Sequence, residues 1–320
     1  MKTQKMNHPL ALPRIRLPIA AALFLSLGAA IVRADSPRLI NMSMRGEVGT
    51  GDQVMIAGLS IGPGSPETVL IRAVGPGLGS FGVRYVINTP VLSLFDLKGN
   101  LIQSNQAWGT GNATAAIMTS VGAFPLKEGG TDSALVATLA PGNYTAEISG
   151  AGGTTGIALL EVYEVGATAT TARLLNLSAR AWIGTINNST TPGTISGTTI
   201  TMIPGFVVGG GTGSRTLLIR AIGPTLAQFG VSDALTDTYF SVFDSSGNVI
   251  AANNNWGTPI GNAPDAAALS AAFAAAGAFP LPPKSFDSAT IVDVAPGASY
   301  TVNTSGSTGV GLVEVYDITP

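Results

Sequence analysis

The chain is written twice, and that duplication constrains its fold more than any other feature. RLINMS at Arg38–Ser43 returns as RLLNLS at Arg173–Ser178, and VLIRAVGP at 69–76 returns as LLIRAIGP at 217–224. LFDLKGN (94–100) matches VFDSSGN (242–248), Trp108-Gly-Thr matches Trp256-Gly-Thr, and GAFPL occurs at 122–126 and again at 277–281. LLEVYE (159–164) closes the first copy and LVEVYD (312–317) the second. The offset between copies grows from 135 at Arg38 to 148 at VLIRAVGP, which places an insertion near 186–199. That segment, INNSTTPGTISGTT, is rich in turn residues and reads as a hairpin tip. The expected organisation is a first repeat over 35–166, a linker of small residues over 167–172 and a second repeat over 173–320, each of ordinary domain size.

Each copy reads as all-β. VLIRAV, VLSLFD, ALVATL, YTAEIS and ALLEVYEV are strand-length apolar runs separated by turn signals, the pattern of a sandwich or barrel. Only 11% of residues are charged and 41 are Gly, which suits strands and tight turns better than Lys- and Glu-rich helical surfaces. One short helix is expected per copy. The first spans Asn112–Val121; the second is opened by Asn262-Ala-Pro-Asp, carried by Ala266–Ala276 and stopped by Gly277. The fold class expected is therefore all-β: two tandem β-sandwich (jelly-roll-like) domains from an internal duplication.

Residues 1–34 read as an export signal: Lys2, Lys5, Arg14 and Arg16 precede the apolar run LPIAAALFLSLGAAIV, and Val32-Arg-Ala34 offers a cleavage site. The run is shorter than the roughly 20 residues that span a bilayer, so no membrane span is expected after cleavage. The expected location is secreted or cell-surface. Cleavage leaves eleven basic against eighteen acidic side chains, a net charge of −7, which argues against nucleic acid as partner.

Gly77-Leu-Gly79-Ser-Phe-Gly82 follows a strand with the G-x-G-x-x-G spacing of a dinucleotide loop. The second copy argues against that function, because Thr225 and Ala227 replace Gly77 and Gly79. No amphipathic helix follows Gly82 either, so a nucleotide is not expected and the shared Gly-Pro reads as a turn ending a core strand.

Chemistry is sparse. There is no Cys, and the one His, His8, lies in the leader. That removes Cys and His nucleophilic or metal-ligating sites, and no enzyme activity, cofactor or metal is expected. The carboxylates present in both copies are Asp96/Asp244, Asp132/Asp287 and Glu161/Glu314. The first pair reads as turn openers and the second as strand starts. Alternation puts Arg72 with Leu70 and Val74, and Glu161 with Leu159 and Tyr163. A charge on such a strand needs a partner, so Arg72–Glu161 and Arg220–Glu314 are expected as structural ion pairs. The candidate ligand-binding residues are Trp108 and Trp256 with the amides beside them, Asn105, Asn253, Asn254 and Asn255. A stacking ring beside amides suits a sugar; the alternative is that each Trp plugs an end of the fold beneath the short helix.

RAVGP, FGV, LFD-x-x-GN, Trp-Gly, GAFPL and GTTGIALLEVYEV together resemble a tandem repeat of secreted and surface proteins of environmental bacteria. LFDLKGNLIQSNQAWG followed by PGNYTAEISGAGGTTGIALLEVY is similar, more loosely, to the pre-peptidase C-terminal domain, a β-sandwich attached to exported hydrolases. The second resemblance implies calcium on acidic loops, but here those loops carry Asn105-Gln106 and Asn253–Asn255 instead. The function expected is a non-enzymatic surface, adhesion or matrix module with a glycan or cell-surface protein as partner. The alternative is a carbohydrate-binding accessory protein that uses Trp108 and Trp256.

Overall fold

The computed structural model describes residues 37–166, 172–186, 198–259, 261 and 263–320. The leader expected over 1–34, most of the linker and the tip of the inserted hairpin lie outside these residues. The described chain is mostly antiparallel β. The first half contributes β1 (Arg38–Val48), β2 (Met55–Ile61), β3 (Glu67–Val74), β4 (Pro90–Asp96), β5 (Leu101–Asn105), α1 (Ala115–Ser120), β6 (Ser133–Leu139), β7 (Gly142–Gly150) and β8 (Gly156–Glu164). The second contributes β9 (Leu174–Ile186), β10 (Thr198–Ile200), β11 (Ile203–Gly209), β12 (Arg215–Ile222), β13 (Thr238–Phe243) and β14 (Val249–Asn253). It continues with α2 (Ala266–Ala276), β15 (Ser288–Val294), β16 (Ala298–Gly306) and β17 (Gly309–Asp317).

The strands pair in two long ladders, and each ladder contains strands of both halves. One runs β6-β3-β8-β1-β11-β16-β13-β14. The other runs β15-β12-β17-β9-β2-β7-β4-β5. The halves meet at two equivalent joints. β1 pairs β11 from Arg38 opposite Gly209 to Arg45 opposite Ile203, and β9 pairs β2 from Leu174 opposite Ile61 to Arg180 opposite Ile56. Glu47 opposite Trp182 links the two ladders, so the strands form one connected hydrogen-bonded system across the boundary expected at 167–172.

Burial follows the residue pattern. β2, MIAGLSI, alternates buried and half-buried, as a strand with one apolar face must. β3 and β12, with the runs VLIRAV and LLIRAI, are buried on both faces almost throughout, because turns and helices cover the second face. One apolar cluster draws on both halves, from Leu39, Met44, Ile71 and Leu160 to Phe206, Ile219 and Val315. Two smaller clusters lie on the second faces. In half one Leu70, Val74, Leu78, Trp108, Met118 and Tyr163 gather there; in half two Leu218, Ile222, Leu226, Trp256, Leu269 and Phe273 do.

The helices are set by their caps. Thr114 accepts from Ile117 N at the start of α1, and Asp265 accepts from Ala268 N at 2.8 Å at the start of α2. Gly277, with φ 67°, closes α2 in the left-handed conformation that glycine tolerates. Asp96 and Asp244 do open turns. Asp96 Oδ1 accepts from Lys98 N and Asn100 N, and Asp244 Oδ1 from Ser246 N and Asn248 N. The hydrogen bond from the Asn100 or Asn248 side-chain amide, together with those backbone bonds, holds both carboxyls below the usual range. Among the described residues no helix is long and apolar enough to cross a membrane.

Candidate functional site

The fingerprint loop has its anion already. β3 ends at Val74, and Gly75–Phe81 turns over in a short 3-10 segment closed by Gly82 at φ 77°. Gly75 N donates to Asp132 Oδ1 at 2.8 Å and Gly77 N donates to the same oxygen at 3.1 Å. Backbone N–H groups arranged this way make an anion-binding concavity. Here the occupant is a buried carboxylate of the same chain. Half two repeats the arrangement: Gly223 N donates to Asp287 Oδ1 at 2.8 Å, and Thr225 adds its own hydroxyl to Asp287 Oδ2. Gly75 is required for a second reason, since a Cβ there would stand 2.1 Å from the Ile87 carbonyl oxygen. Sequence reasoning placed Asp132 and Asp287 at strand starts and missed this role. The signal was present in the pairing of a Gly-Pro turn with an Asp kept in frame in both copies.

Arg72 Nε lies 3.0 Å from Glu161 Oε2, and Arg220 Nε lies 2.7 Å from Glu314 Oε2. Both guanidinium groups are fully buried. Each also donates from Nη1 to a GAFPL carbonyl, Arg72 to Phe124 O at 2.7 Å and Arg220 to Phe279 O at 2.6 Å. Each lies over a phenyl ring, with Phe124 4.3 Å from Arg72 and Phe279 4.4 Å from Arg220. The far carboxylate oxygens accept from Tyr163 OH at 2.6 Å and Tyr316 OH at 2.8 Å. Burial and the adjacent carboxylate push both phenols above their ordinary value. The shared GAFPL motif thus supplies a ring and a carbonyl to a buried cation.

Trp108 and Trp256 are inside the fold, at 9% and 5% exposure. Trp108 Nε1 donates to Lys127 O at 2.9 Å; Trp256 Nε1 donates to Pro282 O and Ser285 Oγ, both at 3.1 Å. Trp256 packs against Phe273 of α2 with ring centroids 5.5 Å apart. Neither indole offers a free face on which a sugar could stack. Asn105 and Asn253 are buried beside them and brace the next strand: Asn105 Oδ1 accepts from Ala134 N, and Asn253 Oδ1 from Ala289 N, each at 3.1 Å. Asn254 is exposed and Asn255 half-buried. Trp and amide are brought together, as a packed corner where β5 or β14 hands over to the helical segment.

A further charge cluster lies where the two halves connect. Arg38 reaches Glu67 at 3.3 Å and Glu164 at 2.5 Å, and donates to Ala172 O at 2.5 Å. Glu164 Oε1 also accepts from Leu174 N at 2.9 Å. Burial raises the Glu164 carboxyl to about 7, outweighing the hydrogen bond and charge of Arg38 and the bond from Leu174 N, and the neighbouring Glu67 adds a smaller push in the same direction. On the other side Arg215 Nε lies 3.6 Å from Asp317 Oδ2 and donates to Pro37 O at 2.5 Å. Among the described residues no three His, Cys, Asp or Glu side chains gather as a metal site. No protein-family model matches the chain, and no curated protein matches it.

Proposed function

We propose that the chain is an exported, non-enzymatic surface or adhesion module, built from two β-sandwich (jelly-roll-like) halves of one duplication. The observation that carries this reading is that the side chains the halves share are used inside the fold. Asp132 and Asp287 hold turns, Glu161 and Glu314 hold arginines, and Trp108 and Trp256 hold corners. In this reading the duplication maintains one body, its halves joined at β1·β11 and β2·β9. A nucleotide role has no support, since the loop N–H groups are engaged by Asp132. In this reading residues 1–34 direct export and the mature chain begins at Asp35.

The experiment has two arms. N-terminal sequencing of exported protein should return Asp35, and fluorescently labelled protein should be retained on cell or matrix surfaces without degrading them. Recovery of the uncleaved chain in a membrane fraction, or retention no greater than that of an inert protein of the same charge, would overturn it.

A further inference from the structure

An open crevice of about 510 Å³ lies where the two halves meet, between the end of β2, the starts of β7 and β9, and the last turn of α2. Cavities of roughly this size at the boundary between two packed units are where small ligands bind. Half one contributes Pro63, Pro141 and Asn143 to its walls; half two contributes Leu175, Tyr316 and Asp317.

The polar groups are few and directed. Ser60 Oγ donates to Asn143 Oδ1 at 2.7 Å, which fixes the amide and leaves its NH₂ as a donor on an exposed side chain. Asp317 Oδ1 accepts from Thr319 N at 3.0 Å, and Oδ2 stands 3.6 Å from Arg215. The Asp317 side chain is only 5% exposed, so the carboxylate is largely engaged within the fold and meets the crevice at its edge. Among the described residues no lysine or arginine lines the crevice. The other joint between the halves lacks this chemistry: where Ser60 faces Asn143 in the strand register, Val207 faces Ser299.

We infer that this crevice binds a neutral glycan. A sugar ring lays its C–H face on Pro63, Pro141 and Leu175 while its hydroxyls accept from Asn143 and donate to Asp317. An anionic sugar would meet the Asp317 carboxylate with no described lysine or arginine on the crevice wall to receive it. A purely apolar ligand would bury the Asn143 amide N–H groups without an acceptor, at a cost. The inference rests on the adhesion reading and names the ligand class of that module.

The test uses the full chain with maltohexaose, cellohexaose and chitohexaose as neutral probes and a heparin hexasaccharide as the anionic one, followed by calorimetry. At least one neutral hexasaccharide should bind. Ala275→Trp, at an exposed helix position on the crevice wall, should weaken that binding by about tenfold or more and leave the thermal melt unchanged. Asn143→Ala should weaken it as well. Binding of the heparin fragment alone, of no probe, or of the neutral probe equally by the Ala275→Trp chain would overturn the inference. Surface retention separates the two levels. If the unmodified chain is retained on surfaces and Ala275→Trp is retained equally, the crevice assignment fails alone; if the unmodified chain is not retained, the adhesion reading fails.

Discussion

Glu67 and Arg215 occupy the same position in the two halves and carry opposite charges. Each opens an equivalent strand, β3 or β12, and each is buried. Glu67 joins Arg38 and Glu164, whereas Arg215 joins Asp317 and stands in the company of Arg173. Half one therefore brings one more acid than base to this cluster and half two one more base than acid. The two halves thus carry complementary charge at the place where they connect.

That cluster makes stability depend on pH. The Glu164 carboxyl rises from an ordinary 4.5 to about 7 in the fold. A raised carboxylate means the folded chain holds its proton more tightly than the unfolded chain, so this contribution is full below the unfolded value and is lost as pH rises through the folded one. The melting temperature should fall between about pH 5 and pH 8, by an amount on the order of 1–3 kcal/mol in stability. Glu164→Gln should flatten that slope. Thermal melts across the range check it, and an unchanged slope in Glu164→Gln would remove Glu164 as the cause.

Arg72 and Glu161 should behave as a buried pair. Arg72→Met alone leaves Glu161 charged and without its cation, at a cost of about 3–5 kcal/mol. The double change Arg72→Met, Glu161→Leu should recover much of that. Arg220 and Glu314 should do the same. Urea denaturation of the four members of each cycle gives the coupling, and a value within about 1 kcal/mol of zero would mean a pair worth no more than a surface one.

Asp132 and Asp287 should be needed for stability rather than for binding. Asp132→Ala leaves the Gly75 and Gly77 N–H groups without an acceptor, at about 1–3 kcal/mol for each one that stays buried. Asp287→Ala should cost more, because the Thr225 hydroxyl loses its partner too. Asp132→Asn keeps a carbonyl oxygen in place and should be milder than Asp132→Ala. Equal effects of Asn and Ala would show that the turn does not depend on that acceptor.

Much of this was legible from residues. Alternation along VLIRAV and LLEVYE put Arg72 and Glu161 on matching faces, and the strand register sets them directly opposite each other. The start of α2 at Asp265, its stop at Gly277 and the turns opened by Asp96 and Asp244 also followed from residue type, whereas α1 is capped by Thr114 rather than begun at Asn112. The pairing of strands across the halves did not. MIAGLSI at 55–61 and MIPGFVV at 202–208 carry nearly the same pattern, so β1 has two edges of equal local fitness and only the assembled ladders choose β11. Nor was the burial of Trp108 and Trp256 decidable: Trp-Gly after an amide loop looks the same whether the ring faces solvent or α2. The Glu67–Arg215 exchange was visible as a difference between copies, but its meaning depends on the distant Glu164 and Asp317.

The central claim is that the two halves form one body through β1·β11 and β2·β9, and separating them tests it most directly. Residues 35–166 and 173–320 can be produced apart and examined by sedimentation and thermal melting. Each fragment alone lacks the strand its first or second strand pairs with, and should melt without cooperativity or associate with itself. Mixed, they should form a one-to-one complex with a single cooperative melt. A monomeric 173–320 fragment that melts cooperatively on its own, and ignores added 35–166, would contradict the account.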